Sequence, residues 1–217
     1  MSHMVRRTQA ERSGATTAQL VEAAGELFGR YGYAGASLDA VAAAAGVTKG
    51  AAYHHFPGGK AALFRAVFVR HQERLATTLA EAGARAPDPR AALLAGARTF
   101  LEHCLAPAFR RVVLLDGPAV LGWEEVREIE YEHALRVLRE AMEQAARAEG
   151  ATPDAALTAR CQLVFGALCE GGMLLARSED PEGMLPVVAG EAGRLLGGGT
   201  EPTPPTCGAS ESGRSGS

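Results

Sequence analysis

SLDAVAAAAGVTKGAAYHHFPGGKAALF, residues 37–64, encodes two short helices, a tight turn and the start of a third helix. Ser37 is an N-cap residue, because its hydroxyl oxygen can accept from an unpaired amide of the first helical turn, and Asp39 sets a negative charge near the positive end of the helix dipole. Leu38, Val41, Ala42 and Ala45 recur at i, i+3, i+4 and i+7, one apolar face, and Gly46 follows where the chain must leave the helix with positive φ. Val47 and Thr48 restart the pattern as an apolar staple and a capping hydroxyl. The spacing therefore predicts a second helix of about two turns from Lys49 through His54. A helix-turn-helix lays the first residues of its second helix against base edges in the major groove. Here those residues are small or polar with one cation, so the segment is suited to lie close to a polyanion.

Upstream, Thr16 and Gln19 fit the spacing of a capping box, and Leu20, Ala23, Ala24, Leu27, Phe28 and Tyr31 recur at helical period before Gly32. This predicts a supporting helix from Thr16 to Gly32. The phrase Phe28-Gly29-Arg30-Tyr31-Gly32-Tyr33, then Ser37-Leu38, then Ala45-Gly46-Val47-Thr48-Lys49-Gly50 and Tyr53-His54-His55-Phe56, resembles the TetR family of bacterial transcriptional regulators. The resemblance spans about Thr16 to Val67. A second phrase, Val112 to Trp123 (VVLLDGPAVLGW), resembles the ligand-binding half of some actinobacterial TetR-like regulators. One departure stands out: the family pattern is Phe, two residues, Lys, whereas this chain reads Phe56-Pro57-Gly58-Gly59-Lys60 and is one residue longer. The resemblance still implies a phosphate contact for Lys60, and a Gly-rich helix start can hold phosphate through its free amides.

Past the helix-turn-helix, Lys60 to about Ala82 reads as a long connecting helix carrying Leu63, Phe64, Val67, Phe68, His71, Leu75 and Leu79 on one side. Pro89 opens the next helix, and Pro107 interrupts it. Arg110–Leu115 reads as a short apolar segment ending at the turn signal Asp116-Gly117-Pro118. Single helices are then predicted over Glu124–Ala148, Asp154–Arg177 and Leu185–Leu196. The expected fold is all-α: an N-terminal three-helix helix-turn-helix unit at 13–60, then a larger helical ligand-binding and dimerisation bundle at 61–196. Residues 1–12 read as a disordered arm whose opening Met1-Ser2-His3-Met4 looks like a vector remnant, and 197–217 as a disordered tail of Gly, Pro, Ser and Thr.

Net charge is −3, which alone argues against nucleic acid. Residues 1–75, however, carry nine Lys or Arg against five Asp or Glu, and the remainder thirteen against twenty. One end can meet phosphates while the other stays off the duplex. No run of about eighteen apolar residues marks a membrane span, and no secretory signal is present, so a cytoplasmic protein without a membrane partner is expected. Cys104, Cys161, Cys169 and Cys207 show no CxxC pairing and read as reduced thiols.

The chemistry of the exposed positions assigns the DNA contacts. Lys49 can reach a phosphate or guanine O6 and N7; Tyr53 and His54 can donate to phosphate or meet a thymine methyl; Gly50 lets the backbone come near. Thr48 and Ser37 can touch phosphate or simply cap. His54 and His55 point to different sides, His54 being the outward one. A metal site from His54, His55 and His71 lacks a neighbouring Cys or carboxylate at ligand spacing, so no metal or other cofactor is expected. No nucleophile, base and orienter set supports an enzyme. One helix-turn-helix makes few contacts, which favours a two-fold dimer on a pseudo-palindromic operator. The resemblance implies that the dimer forms through about 154–196 and that a hydrophobic effector binds in the larger half, drawing the connecting helix and releasing DNA, as in a repressor. Candidate lining residues are Phe100, Cys104, Leu121, Trp123, Cys161, Phe165 and Cys169, with His103 and Glu170 as polar anchors. The alternatives are a small helical enzyme or metal-dependent sensor, and a non-specific DNA-binding protein.

Overall fold

The computed structural model describes residues 9–197, with side chains from residue 13. The described residues are helical and contain no strand. Of the arm expected at 1–12, residues 1–8 lie outside them and residues 9–12 are helical instead; of the tail expected at 197–217, residues 198–217, Cys207 among them, lie outside.

Helix α1 spans Gln9–Gly35 and carries a break at Gly32, whose φ of 71° and ψ of 173° are not helical. It starts earlier than the capping-box reading at Thr16 and Gln19 allows, so Thr16 lies inside the helix. Thr17 bonds back to the Ser13 carbonyl at 3.1 Å, the usual resolution of a hydroxyl within a helix. α2 is Leu38–Ala44 and α3 is Lys49–His55. Between them the Gly46 amide donates to Ala43 O at 3.1 Å and the Val47 amide to Ala42 O at 3.0 Å, a Schellman pair closed by Gly46 at φ 68°. Ser37 and Thr48 cap the two helices by accepting from the Ala40 and Ala51 amides at 3.1 and 3.2 Å. Leu38, Val41, Ala42 and Ala52 are buried, so the two helices share one small apolar seam.

α4, Gly59–Ala84, has 26 residues and so reaches roughly 40 Å at 1.5 Å per residue. Its first half packs on α1 through Leu63, Phe64 and Val67; its second half packs on α5, Pro89–His103, which is capped by Asp88. Phe64 meets Phe28 and Tyr33 edge-on, each with ring centroids 5.2 Å apart. Arg70 and Glu22 form an ion pair across α1 and α4.

The segment expected to end in an Asp-Gly-Pro turn does not turn. A short helix α6, Pro107–Phe109, runs into a π-helical stretch, Arg110–Asp116, and then directly into α7, Gly117–Leu121. Gly117 is buried against Phe68, where an added Cβ would lie 2.6 Å from the ring, and Pro118 sits in the first turn of α7, where a missing amide proton breaks no helical hydrogen bond. Packing therefore overrides the local turn preference. The single helix expected over Glu124–Ala148 is also two, α8 (Trp123–Glu132) and α9 (Ala134–Ala148), because His133 leaves helical geometry at φ −124° and ψ −102°.

α10, Ala155–Arg177, and α11, Pro181–Leu196, close the bundle, capped by Asp154 and Asp180. By length and composition α10 reaches what a membrane span needs, unlike the sequence reading. Its apolarity has another use, since one face packs on α5, α9 and the π-helical stretch and another meets α11.

Candidate functional site

The first residues of α3 stand in solvent. Lys49, Gly50, Tyr53 and His54 fall at i, i+1, i+4 and i+5 and form one exposed face, flanked by Thr48 and Ser37. Gly50 has open space where a Cβ would stand, so the bare backbone there is not required by packing within this chain. His55 turns inward as expected, its Nδ1 3.0 Å from the Thr17 hydroxyl. Lys49 is held by Asp39 at 2.7 Å, and this hydrogen bond and charge pairing raise the ammonium pKa above its ordinary value. Asp39 thus occupies the cation that the DNA-facing reading assigns to phosphate or guanine, a pairing across the two helices that the sequence reading missed. The signal was present as a first-turn acid in one helix and a first-turn base in the next.

Lys60 is not displayed beside these residues. Its Nζ donates to Tyr33 O at 3.0 Å and Ala36 O at 3.1 Å and lies 4.2 Å from the centre of the Tyr33 ring. The extra glycine, Gly59 at φ 67°, starts α4 one residue before Lys60. The side chain then bears on the corner between α1 and α2, with one ammonium proton left over. At the start of α4 the Gly59 amide donates to Phe56 O at 2.8 Å, and no side chain caps the helix.

In the larger half, a cleft of about 310 Å³ opens between α4, α5, α9 and α10. Leu79 and Gly83, Ala97 and Phe100, Val137 and Leu138, and Phe165 and Leu168 line it, with Glu140 and Gln144 among its polar residues. Of the expected lining residues only Phe100 and Phe165 belong to it, 6.0 Å apart edge to face. The others are corrected by packing. Cys104 and Cys161 are core residues; burial pushes their thiols up to about 12 and about 11, which leaves them inert at neutral pH. Cys169 is shifted the same way. Trp123 is 67% exposed, with the Arg127 guanidinium 6.0 Å from its ring. Leu121 is half-buried outside the cleft, and His103 stacks edge-on against Phe109. Glu170 pairs with Arg177 at 2.7 Å and borders a different groove.

That second groove, of about 270 Å³, runs between α10 and α11 and is lined by Leu101, Val164, Leu174, Val187, Val188 and Leu195 among others. Val187 and Leu195, each 58% exposed, and Leu174, 49% exposed, share this groove, an apolar face rather than scattered positions.

Among the described residues no cluster of His, Cys, Asp and Glu could hold a metal ion. Two buried titratable groups bear on stability. Burial pushes Glu130 up to about 7 against the pull of Arg127, 3.1 Å away, and pushes His71 down to about 4. The folded protein binds the Glu130 proton more tightly than the unfolded chain does. Its contribution is full below about pH 4.5 and lost as pH rises through about 7, an effect of about 3 kcal/mol. Glu130→Gln should therefore gain on the wild type by about that amount between pH 4.5 and 8 in urea unfolding. His71 acts oppositely, losing stability as pH falls from 6.5 toward 4, but equally in both proteins. A pH-independent difference between the two would remove Glu130 as the cause.

Two family models match this arrangement half by half. Residues 20–67 match the model described as bacterial regulatory proteins, tetR family, and residues 90–199 the model described as tetracyclin repressor-like, C-terminal domain. The chain belongs to the TetR family. It is a DNA-binding transcriptional regulator and not an enzyme. The solved structure of a TetR-family transcriptional regulator from Pectobacterium atrosepticum is 30% identical, with a TM-score of 0.70 over 88% of this chain and 96% of that one. FadR from Bacillus subtilis, solved in complex with stearoyl-CoA, shares the fold at 17% identity and a TM-score of 0.67, over 83% of this chain and 98% of its own. The HTH-type transcriptional regulator CymR of Pseudomonas putida is 50% identical over 52 residues, 24% of this chain and only 26% of that relative. TetR-family regulators bind operator DNA and act as dimers.

Proposed function

We propose that this TetR-family protein is a cytoplasmic repressor that binds a pseudo-palindromic operator as a homodimer and is released by a small, largely apolar effector. The observation that supports DNA reading best is the exposed α3 face of Lys49, Gly50, Tyr53 and His54, bounded by the capping hydroxyls of Ser37 and Thr48. Base-edge readout needs such residues at the start of the second helix, without bulk between backbone and groove. The apolar α10–α11 face supports the dimer, because a second copy would cover it. The α4–α5–α9–α10 cleft supports the effector site. It touches the far half of α4, whose first turn follows α3 after only three residues and holds the α1–α2 corner through Lys60, so an occupant that moves α4 pulls on both ends of the α2–α3 pair. FadR's stearoyl-CoA suits an apolar cleft, though a volume of about 310 Å³ here favours a smaller molecule, and polar lining made of Gln144 and a Glu140 already paired with Arg136 favours one with a neutral polar end.

The test is fluorescence anisotropy with a duplex from immediately upstream of the coding region against scrambled duplex at the same salt. Selective binding with two subunits per site is expected; equal binding to both would favour a non-specific DNA-coating protein. Within that assay Lys49→Ala should weaken binding by about 1–3 kcal/mol and, if Lys49 reads guanine, relax preference at one position per half-site. Asp39→Asn should act oppositely. It frees Lys49 and removes a like charge from the phosphates, so affinity should rise several-fold and the salt dependence steepen. Unchanged affinity and salt slope in both variants would take the Lys49–Asp39 pair out of the interface.

A further inference from the structure

The reader is held at one corner, and half of that hold comes from the effector-binding body. α1 breaks at Gly32, and the chain from Tyr33 to Ser37 then sets the direction in which α2 and α3 leave it. From within the reader, Lys60 grips the Tyr33 and Ala36 carbonyls. From the body, Asp116 Oδ2 accepts the Tyr33 amide at 2.7 Å, across 83 residues of sequence. The same oxygen accepts Arg111 Nε at 3.2 Å, and the Arg111 guanidinium lies on Gly32 so closely that a Cβ there would sit 2.3 Å from it. One turn earlier Ala108 packs on Gly29, where a Cβ would lie 2.6 Å away.

Asp116 reaches this corner because it ends the π-helical stretch. A π turn holds one residue more than an α turn, so the same segment wound as α-helix would swing the residues after it by about 100° and carry Asp116 off α1. The next residue, Gly117, is locked on Phe68 of α4. The carboxylate therefore stands between a fixed contact on α4 and the one backbone amide that follows the break in α1.

We propose that Asp116 is a positioning residue for DNA reading: by accepting the Tyr33 amide it fixes the angle of the α2–α3 pair on α1 without itself touching DNA. The affinity part of this inference rests on the DNA-reading proposal; the clamp does not. An oxygen held at hydrogen-bond distance on a structured amide also protects that amide from exchange.

The experiment compares the full chain with Asp116→Ala and with Asp116→Asn, whose side-chain oxygen can still accept. Exchange of the Tyr33 amide is followed by NMR against α10 core amides such as Leu168 and Leu175. Binding is measured to a duplex selected by the wild-type protein from a random library and to its scrambled version at equal salt. Asp116→Ala should speed Tyr33 exchange by about tenfold or more and lower affinity for the selected duplex by about tenfold, with the scrambled duplex and the α10 amides unmoved. Asp116→Asn should restore most of both. The proposal is overturned by Tyr33 exchange that does not change, by a freed amide with unchanged affinity for the selected duplex, or by no rescue in the Asn variant. Failure of Asp116→Ala to fold, or loss of protection across α10 as well, overturns it too, since a positioning residue leaves both halves folded. Equal binding of both duplexes by the wild type would instead sink the DNA-reading proposal, and that is seen before any variant is made.

Discussion

Leu174→Arg is expected to give a folded chain that no longer dimerises and binds operator DNA at least 100-fold more weakly, since half the specific contacts are lost. Leu174 lies about half exposed on the α10–α11 face with Val187 and Leu195 beside it. On a single chain an arginine there can extend into water, so the fold itself loses little. In the proposed dimer the same position is covered by a copy of itself. The guanidinium would then be desolvated beside apolar residues, and near a two-fold axis it would face its own mate, so each cost is counted in both subunits. The free energy of association falls by several kcal/mol, enough to separate subunits at micromolar concentration. Sedimentation velocity reads the state directly, and circular dichroism confirms that helix content is kept. A variant that stays dimeric with unchanged operator affinity would place the subunit contact elsewhere.

Features closed within one or two turns were legible from the residues. Ser37, Gly46 and Thr48 act on amides and carbonyls three to five positions away, so their roles in α2 and α3 needed no knowledge of the rest of the chain. The outward His54 and inward His55 follow from helical phase alone. What escaped depends on how separate helices are set against one another. The Asp116-Gly117-Pro118 signal is a turn by local preference, and it stays helical only because Gly117 fits against Phe68. Lys60 is a phosphate ligand by the family resemblance and Trp123 a cavity wall by residue type, yet the first finds two carbonyls of the α1–α2 corner and the second finds solvent. The cleft is the extreme case. Leu79, Ala97, Leu138 and Leu168 read as ordinary core positions on four different helices, and that they border one space depends on how those four helices are set against one another. Helix faces are written in the sequence as periodicity, whereas the relative height of two helices is not.

Phe64→Ala should be the most damaging single change in the half that reads DNA, lowering stability by about 3–5 kcal/mol. The ring is fully buried and meets Phe28 and Tyr33 edge-on, so truncation removes its transfer free energy, opens a cavity and breaks two aromatic contacts at once. Phe64→Leu keeps most of the volume and should cost less than half as much. The comparison separates lost burial from lost geometry. Phe64 also backs the Tyr33 ring, whose carbonyl is held by Lys60 and whose amide is held by Asp116. Operator affinity should thus fall even under conditions where the variant is fully folded, whereas Phe100→Ala, at the wall of the cleft, should lower stability and leave the α3 face as it was. Urea midpoints at constant slope give the first quantity and anisotropy at fixed salt the second. If Phe64→Ala lost well under 2 kcal/mol, the junction of α1 and α4 would have closed around the missing ring. A junction that soft could not carry a displacement of α4 to α2 and α3, and release of DNA would then need a route other than the connecting helix.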